Sequence, residues 1–206
     1  MLINLWKIPE YPEKVVLMNE AVNSLLAEGR NINTMSVSEI TNRAGIGKGT
    51  AYEYFSSKEE IIASSLEANL ATQIHDLVER EAGINSFREM LEVIVEWMTD
   101  NFKKNTGFTI LFKNAVDPTT ISDKQRQAFH EKCPGEQIIM EMIGQILRVG
   151  EKEGVIKTRH PYFGSVAIIS QVMAYSMYLA DERMHGEIPE NDVKEFTVDS
   201  IIKMLA

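Results

Sequence analysis

The sequence predicts an all-α fold. Apolar residues recur at spacings of three and four almost from end to end, helix caps and breakers punctuate that rhythm, and no stretch alternates as a half-buried strand would. With 206 residues, 44% hydrophobic and 25% charged, the chain has an ordinary globular balance, which excludes disorder, collagen and rod-like coiled coils. About four helices are expected in the first eighty residues and about six after them, with no internal repeat.

Taken in order, Val15, Met18, Val22, Leu25 and Leu26 share one face of a first helix that Pro12 begins and Gly29 ends. Ser36-Val-Ser-Glu39 spells a capping box, in which hydroxyl and carboxylate satisfy each other's free amides, and opens a short helix ending at Ala44 before Gly45. A third helix runs from Gly47 or Lys48 to Tyr54. Ser57-Lys-Glu-Glu60 is a second capping box, starting a helix marked by Ile62, Leu66, Leu70, Ile74, Leu77 and Val78 and closed by Gly83. Further helices are expected near 85–105 (Met90, Leu91, Ile94, Trp97, Met98), 108–115, 122–132, 135–151 (Ile138, Ile139, Met142, Ile143, Ile146, Leu147), 162–185 and 190–205. The breakers are Thr106-Gly107, Asp117-Pro118, Pro134-Gly135, Gly154, Pro161, Gly186 and Pro189.

Several function classes are disfavoured by what the sequence lacks. The longest apolar stretch, Phe163 to Leu179, is interrupted by Gly164, Ser165, Ser170, Gln171 and Ser176, so no membrane span is expected. The first seven residues do not read as a secretory signal, and a cytoplasmic protein is expected. Cys133 stands alone and cannot form an internal disulfide. His75, His130, His160 and His185 are scattered, and His130 with Cys133 lacks further ligands nearby, so no metal is expected. Gly45-Ile-Gly-Lys-Gly-Thr50 superficially suggests a phosphate loop, but that signature needs Ser or Thr directly after the lysine, where Gly49 stands. With no nucleophile elbow, zinc-protease helix or dinucleotide fingerprint, neither enzyme nor cofactor is expected.

Charge is unevenly spread. The whole chain carries net −9, which taken alone would repel nucleic acid. Residues 1–59 hold six bases against seven acids, and within 41–58 Arg43, Lys48 and Lys58 face only Glu53. A small basic island thus sits in an acidic protein. Within it, two short helices meet at Gly45-Ile46-Gly47, where a glycine permits the positive φ of a sharp corner. Ile40, Ala44, Ile46, Ala51 and Phe55 form the apolar set that would lock a helix-turn-helix. The opposite face of the third helix shows Gly47, Lys48, Thr50, Tyr52, Glu53 and Tyr54, a hydrogen-bonding surface suited to the major groove.

The run from Ser36 to Ile61 resembles the DNA-binding domain of TetR-family transcriptional regulators, matching at Ile40, Ala44-Gly45, Lys48-Gly49-Thr50, Tyr52, Phe55 and Lys58-Glu59. The strong likeness covers residues 13–66; beyond it the chain agrees in helix number, helix length and the loop Glu153-Gly154-Val155-Ile156. The resemblance implies that Ser36 contacts phosphate while capping the second helix, that Gly47, Lys48 and Thr50 face the groove, that Tyr52 and Tyr54 reach phosphate or bases, and that Lys58 clamps phosphate. Free amides at helix N-termini favour the same anion contacts. Glu53 departs from a purely basic surface, but its carboxylate can accept from cytosine. Arg43 reads as a solvated helix face rather than a contact.

The division expected is residues 1–58 for DNA binding and 59–206 for ligand binding and dimerisation. Helix 162–185 is apolar around most of its circumference and would be buried on two sides, with Ile169, Val172 and Met173 joined by Phe196 and Ile201 of the last helix in a homodimer interface. Trp97, Phe108, Phe112, Tyr175 and Tyr178 are candidate pocket residues for a small apolar or amphipathic effector, though core packing is the commoner fate of such residues. The resulting expectation is a homodimeric repressor that is released from a palindromic double-stranded DNA operator by an effector, with the fourth helix as lever. The competing reading is a helical small-molecule-binding or protein-interaction module that does not read DNA.

Overall fold

The computed structural model describes residues 9–116, 119–132, 135–181 and 187–206. Cys133, His185, Gly186, Pro118 and Pro134 lie outside them, as do the side chains of Phe112, His130 and Ile138. Among the described residues every regular element is helical: α1 (Glu13–Ala27), α2 (Val37–Ala44), α3 (Lys48–Tyr54), α4 (Lys58–Arg80), α5 (Phe87–Lys104), α6 (Thr106–Val116), α7 (Asp123–Lys132), α8 (Gly135–Glu153), α9 (Pro161–Ala180) and α10 (Glu190–Leu205).

Local chemistry accounts for most boundaries. Ser36 and Glu39 form the expected reciprocal cap of α2. At α4 the Ser57 hydroxyl accepts from Glu60 N at 3.2 Å, while the Glu60 carboxylate accepts from Ser56 N at 2.9 Å, one residue earlier than a regular box. Pro161 opens α9 rather than only stopping what precedes it, and His160 Nδ1 accepts from Tyr162 N at 3.2 Å. A proline fits there because a first-turn amide has no helical partner to lose. Thr106-Gly107, expected to break the chain, lies inside the first turn of α6, because Asn105 Oδ1 accepts from Phe108 N at 3.0 Å and supplies the cap. α9 ends at Ala180, five residues short of the expected stop.

The chain forms two compact units. One comprises residues 7–75 and 104–135. Its core joins Val15, Met18, Val22, Leu25 and Leu26 of α1 to Ile40 of α2, Ala51 of α3, Ile61, Ile62 and Leu66 of α4, and Ile121 from the segment before α7. Gln125 of α7, itself buried, donates from Nε2 to the Ile32 carbonyl at 3.3 Å, and Asn33 Nδ2 donates to Thr120 O at 3.2 Å. The loop between α1 and α2 is therefore held by residues 87 and 93 positions away.

The other unit comprises residues 76–103 and 136–206. Leu91, Val95 and Met98 of α5, Met142, Ile146 and Leu147 of α8, Ile168 and Tyr175 of α9, and Val198 and Ile201 of α10 are all buried. Glu153 at the end of α8 caps α5 by accepting from Phe87 N at 3.0 Å. Thr99 Oγ1 and Tyr175 Oη lie 2.6 Å apart, and burial pushes the Tyr175 phenol up to about 12. By length and composition α9 could cross a membrane, with mean hydropathy 1.4, contrary to the expectation from its interrupted sequence. Of the five interruptions, Gly164, Ser165 and Ser176 are buried with Ile168 and Tyr175, while Gln171 is half-buried and Ser170 exposed.

Candidate nucleic-acid interface

The corner between α2 and α3 is set by Gly45, whose φ of 67° lies in the left-handed region that disfavours a side chain. Ile40 and Ala51 are fully buried, Phe55 nearly so, and Ala44 and Ile46 pack partly buried against the same core. These five are the residues expected to lock the corner. Their burial leaves the remaining face of α3 outside: Gly47, Lys48 and Gly49 are exposed, as are Tyr52, Glu53 and Tyr54, while Thr50 is half-buried.

Gly47 and Gly49 are informative because the protein's own packing does not require them. Neither has a positive φ; a Cβ on Gly49 would meet nothing within 4 Å, and one on Gly47 would meet only Thr50 Oγ1 at 3.8 Å. Alanine would favour the helix by up to about 1 kcal/mol at position 49. Their bare backbone makes room for a body outside the chain. No side chain caps the N-terminus of α3, so its first-turn amides remain available to a hydrogen-bond acceptor.

Of the three local cations, two are engaged. Arg43 makes a bidentate pair with Glu28, both distances 2.7 Å, which ties α2 to α1. The hydrogen bond from Arg43 holds the Glu28 carboxyl below its usual range. Arg43 is exposed on its helix face and ion-paired there, to a partner fifteen residues away that no local pattern marks. Lys58 donates from Nζ to the Asn33 carbonyl at 3.0 Å, with a Glu59 carboxylate oxygen at 3.9 Å. It secures the loop before α2 and keeps spare donors, since an ammonium has three. Lys48 makes no hydrogen bond or ion pair among the described residues, leaving it the available cation of α3.

Ser36 is more committed than a phosphate ligand need be. Its hydroxyl lies 2.8 Å from Glu39 Oε2 and accepts from Glu39 N at 3.2 Å; its own N–H donates to the same carboxylate at 2.9 Å. The Ser36 hydroxyl, its backbone amide and Arg30 together hold the Glu39 carboxyl below its usual range. The cap therefore carries a negative charge paired to Arg30. Glu28, Arg30 and Asn33 escaped sequence reasoning, because their partners lie nine to eighty-seven residues away and no local pattern marks them.

The candidate effector residues differ in exposure and belong to both units. Trp97, Phe108 and Tyr175 are buried side chains of their own units, and nothing is described of the Phe112 side chain. Tyr178 alone lines a groove of about 600 Å³, together with Met177, Asp181, Ile188, Asp192, Val193 and Phe196. Of the candidate interface residues, Phe196 is 69% exposed and Ile169, Val172 and Met173 are half-buried, whereas Ile201 is fully buried and can only back that surface. Phe163, Val166, Met177 and Met204 are further exposed apolar residues of α9 and α10.

A buried corner supporting an exposed, polar α3 defines a helix-turn-helix protein. More particularly, residues 25–64 match the family model described as bacterial regulatory proteins, tetR family, and the chain has the TetR-family fold. FadR from Bacillus subtilis, solved in complex with stearoyl-CoA, is similar over 93% of this chain and 99% of its own, with a TM-score of 0.71 and 17% identity. Reduced NemR from E. coli matches over 95% and 98% (TM-score 0.70, 18% identity). FadR from Bacillus halodurans, a fatty acid degradation regulator, matches over 94% and 97% (TM-score 0.69, 14% identity). No curated protein matches the sequence.

Proposed function

We propose that this protein is a homodimeric transcriptional repressor that binds a palindromic operator through α3 and is released by a small apolar or amphipathic effector. The observation that carries the proposal is the polar, unpartnered face of α3, with Lys48 free between two glycines that no internal contact requires. Residues 1–58 serve as the reading head and 59–206 as the effector and dimerisation part. Lys48 and Thr50 approach bases or phosphates at the groove, Tyr52 and Tyr54 flank them, and Glu53 lends preference for cytosine. Ser36 and Lys58 support phosphate contacts from the starts of α2 and α4.

The exposure of Phe163, Val166, Met177, Phe196 and Met204 on α9 and α10 supports self-association, since large apolar surface left open on a monomer commonly marks an interaction site. A symmetric pair would set two copies of α3 about one DNA turn, or a multiple of it, apart. The stearoyl-CoA bound to the Bacillus subtilis FadR structure favours an effector with an apolar chain.

The test is fluorescence anisotropy on DNA from upstream of the protein's own gene, at two salt concentrations, with Lys48→Ala. Specific binding with a steep negative salt dependence is expected, and Lys48→Ala should reduce the salt slope by about 1 per half-site. Equal affinity of the variant and the original protein for that DNA would contradict the assignment.

A further inference from the structure

Within the unit of residues 7–75 and 104–135, α1 and α4 leave between them a cavity of about 310 Å³. Asn19, Glu20 and Asn23 of α1 and Asn69, Thr72 and Gln73 of α4 supply its polar wall together with Tyr11, and Val16 and Ala68 its short apolar patches. No Lys, Arg or His is among the described residues lining it.

Asn19 is only 5% exposed, yet among the described residues neither Nδ2 nor Oδ1 of its carboxamide has a hydrogen-bond partner. Asn69 gives its Nδ2 to Asn105 Oδ1 at 3.0 Å, and its own buried Oδ1 is likewise without a partner. Buried polar groups are nearly always satisfied, so two such neighbours on one cavity call for a reason. Nor is their position slack: a Cβ on Gly107 would come within 3.1 Å of Asn69 Nδ2, so the backbone of α6 closes on this side chain.

The unmet groups also state what would satisfy them. Two carboxamide oxygens and the Glu20 carboxylate offer acceptors, beside Asn19 Nδ2 and the Tyr11 hydroxyl, which can donate. An anion would meet mostly oxygen; a donor-rich cation would find partners throughout. A guanidinium presents five N–H donors in a planar fork, suited to oxygens spread over two helices. We infer that this cavity is a second ligand site that takes an alkylguanidine, its charged head among Asn19, Asn69 and Glu20 and its stem against Val16 and Ala68. The site is separate from the groove at Phe196 and does not depend on how α3 meets DNA.

Agmatine is the probe, titrated calorimetrically into the full-length protein. Saturable binding of one agmatine per chain is expected, lost in Asn19→Leu and weakened at least about fivefold in Glu20→Gln, which removes a charge-assisted partner. Butyltrimethylammonium, a cation without N–H donors, should not bind. Absence of saturation below about 10 mM agmatine, or equal affinity in Asn19→Leu, would overturn the inference. Should Asn19→Leu fail to fold, unchanged affinity in Glu20→Gln, a surface substitution, would overturn it instead. Because binding is read without DNA, failure here is distinguishable from failure of the repressor reading.

Discussion

Glu81, in the turn after α4, is 4% exposed, and among the described residues neither of its carboxylate oxygens has a hydrogen-bond partner. Burial pushes its pKa from 4.5 up to about 7. Between those values the folded chain holds a proton that the unfolded chain has released, so stability falls as pH rises through this window. Below 4.5 the group is neutral in both states, and above about 7 the full penalty is present. The interval from 4.5 to about 7, at about 1.4 kcal/mol per unit, amounts to about 3 kcal/mol. Glu81→Gln preserves the shape but cannot ionise. Urea unfolding at fixed protein concentration should therefore find the variant more stable by about 2–3 kcal/mol at pH 8, with the difference vanishing toward pH 4.5. Parallel stability profiles for the two proteins across that range would refute the reasoning.

Two other substitutions probe different contacts. Gly107→Ala inserts a Cβ 3.1 Å from Asn69 Nδ2 and 3.3 Å from Asn23 Oδ1; a loss of about 1 kcal/mol is expected in thermal unfolding, after the gain in helix propensity, and a more stable variant would show that both side chains yield freely. Phe196→Asp places a charge on the most exposed large apolar residue of α10. Sedimentation should show monomers with little change in unfolding, and a variant that remains dimeric would remove this face from the interface.

Much of the fold was legible because it is written locally. Ser36 and Glu39 stand three apart, and that spacing alone announced the cap and start of α2. Gly45 marked a corner by the one property unique to glycine, and the three- and four-residue rhythm placed Ile40, Ala51 and Phe55 inward, leaving Lys48 and Tyr52 outward. What escaped was written at a distance. The bond from Gln125 to Ile32 spans ninety-three residues, so nothing in the sequence announced that residues 104–135 pack with the helix-turn-helix. The pairing of Arg43 with Glu28 likewise spans fifteen residues and leaves no local mark. The candidate pocket residues Trp97, Phe108 and Tyr175 satisfy the composition of a pocket wall and of a core equally, so the sequence alone does not divide the two roles, and all three are buried. The cavity at Asn19 had no signal either, since asparagine is ordinary on a helix until both of its partners prove to be missing.

The most direct test of α3 as the reading element is to let it mark its own position on DNA. Gly49→Cys in a Cys133→Ser background would carry a tethered iron–EDTA group at an exposed position where a Cβ meets nothing within 4 Å. Two clusters of strand cleavage are expected, related by a dyad and separated by about one helical turn or a multiple of it. Retained DNA binding with cleavage that is absent, diffuse or outside the protected site would contradict the placement of α3 in the groove.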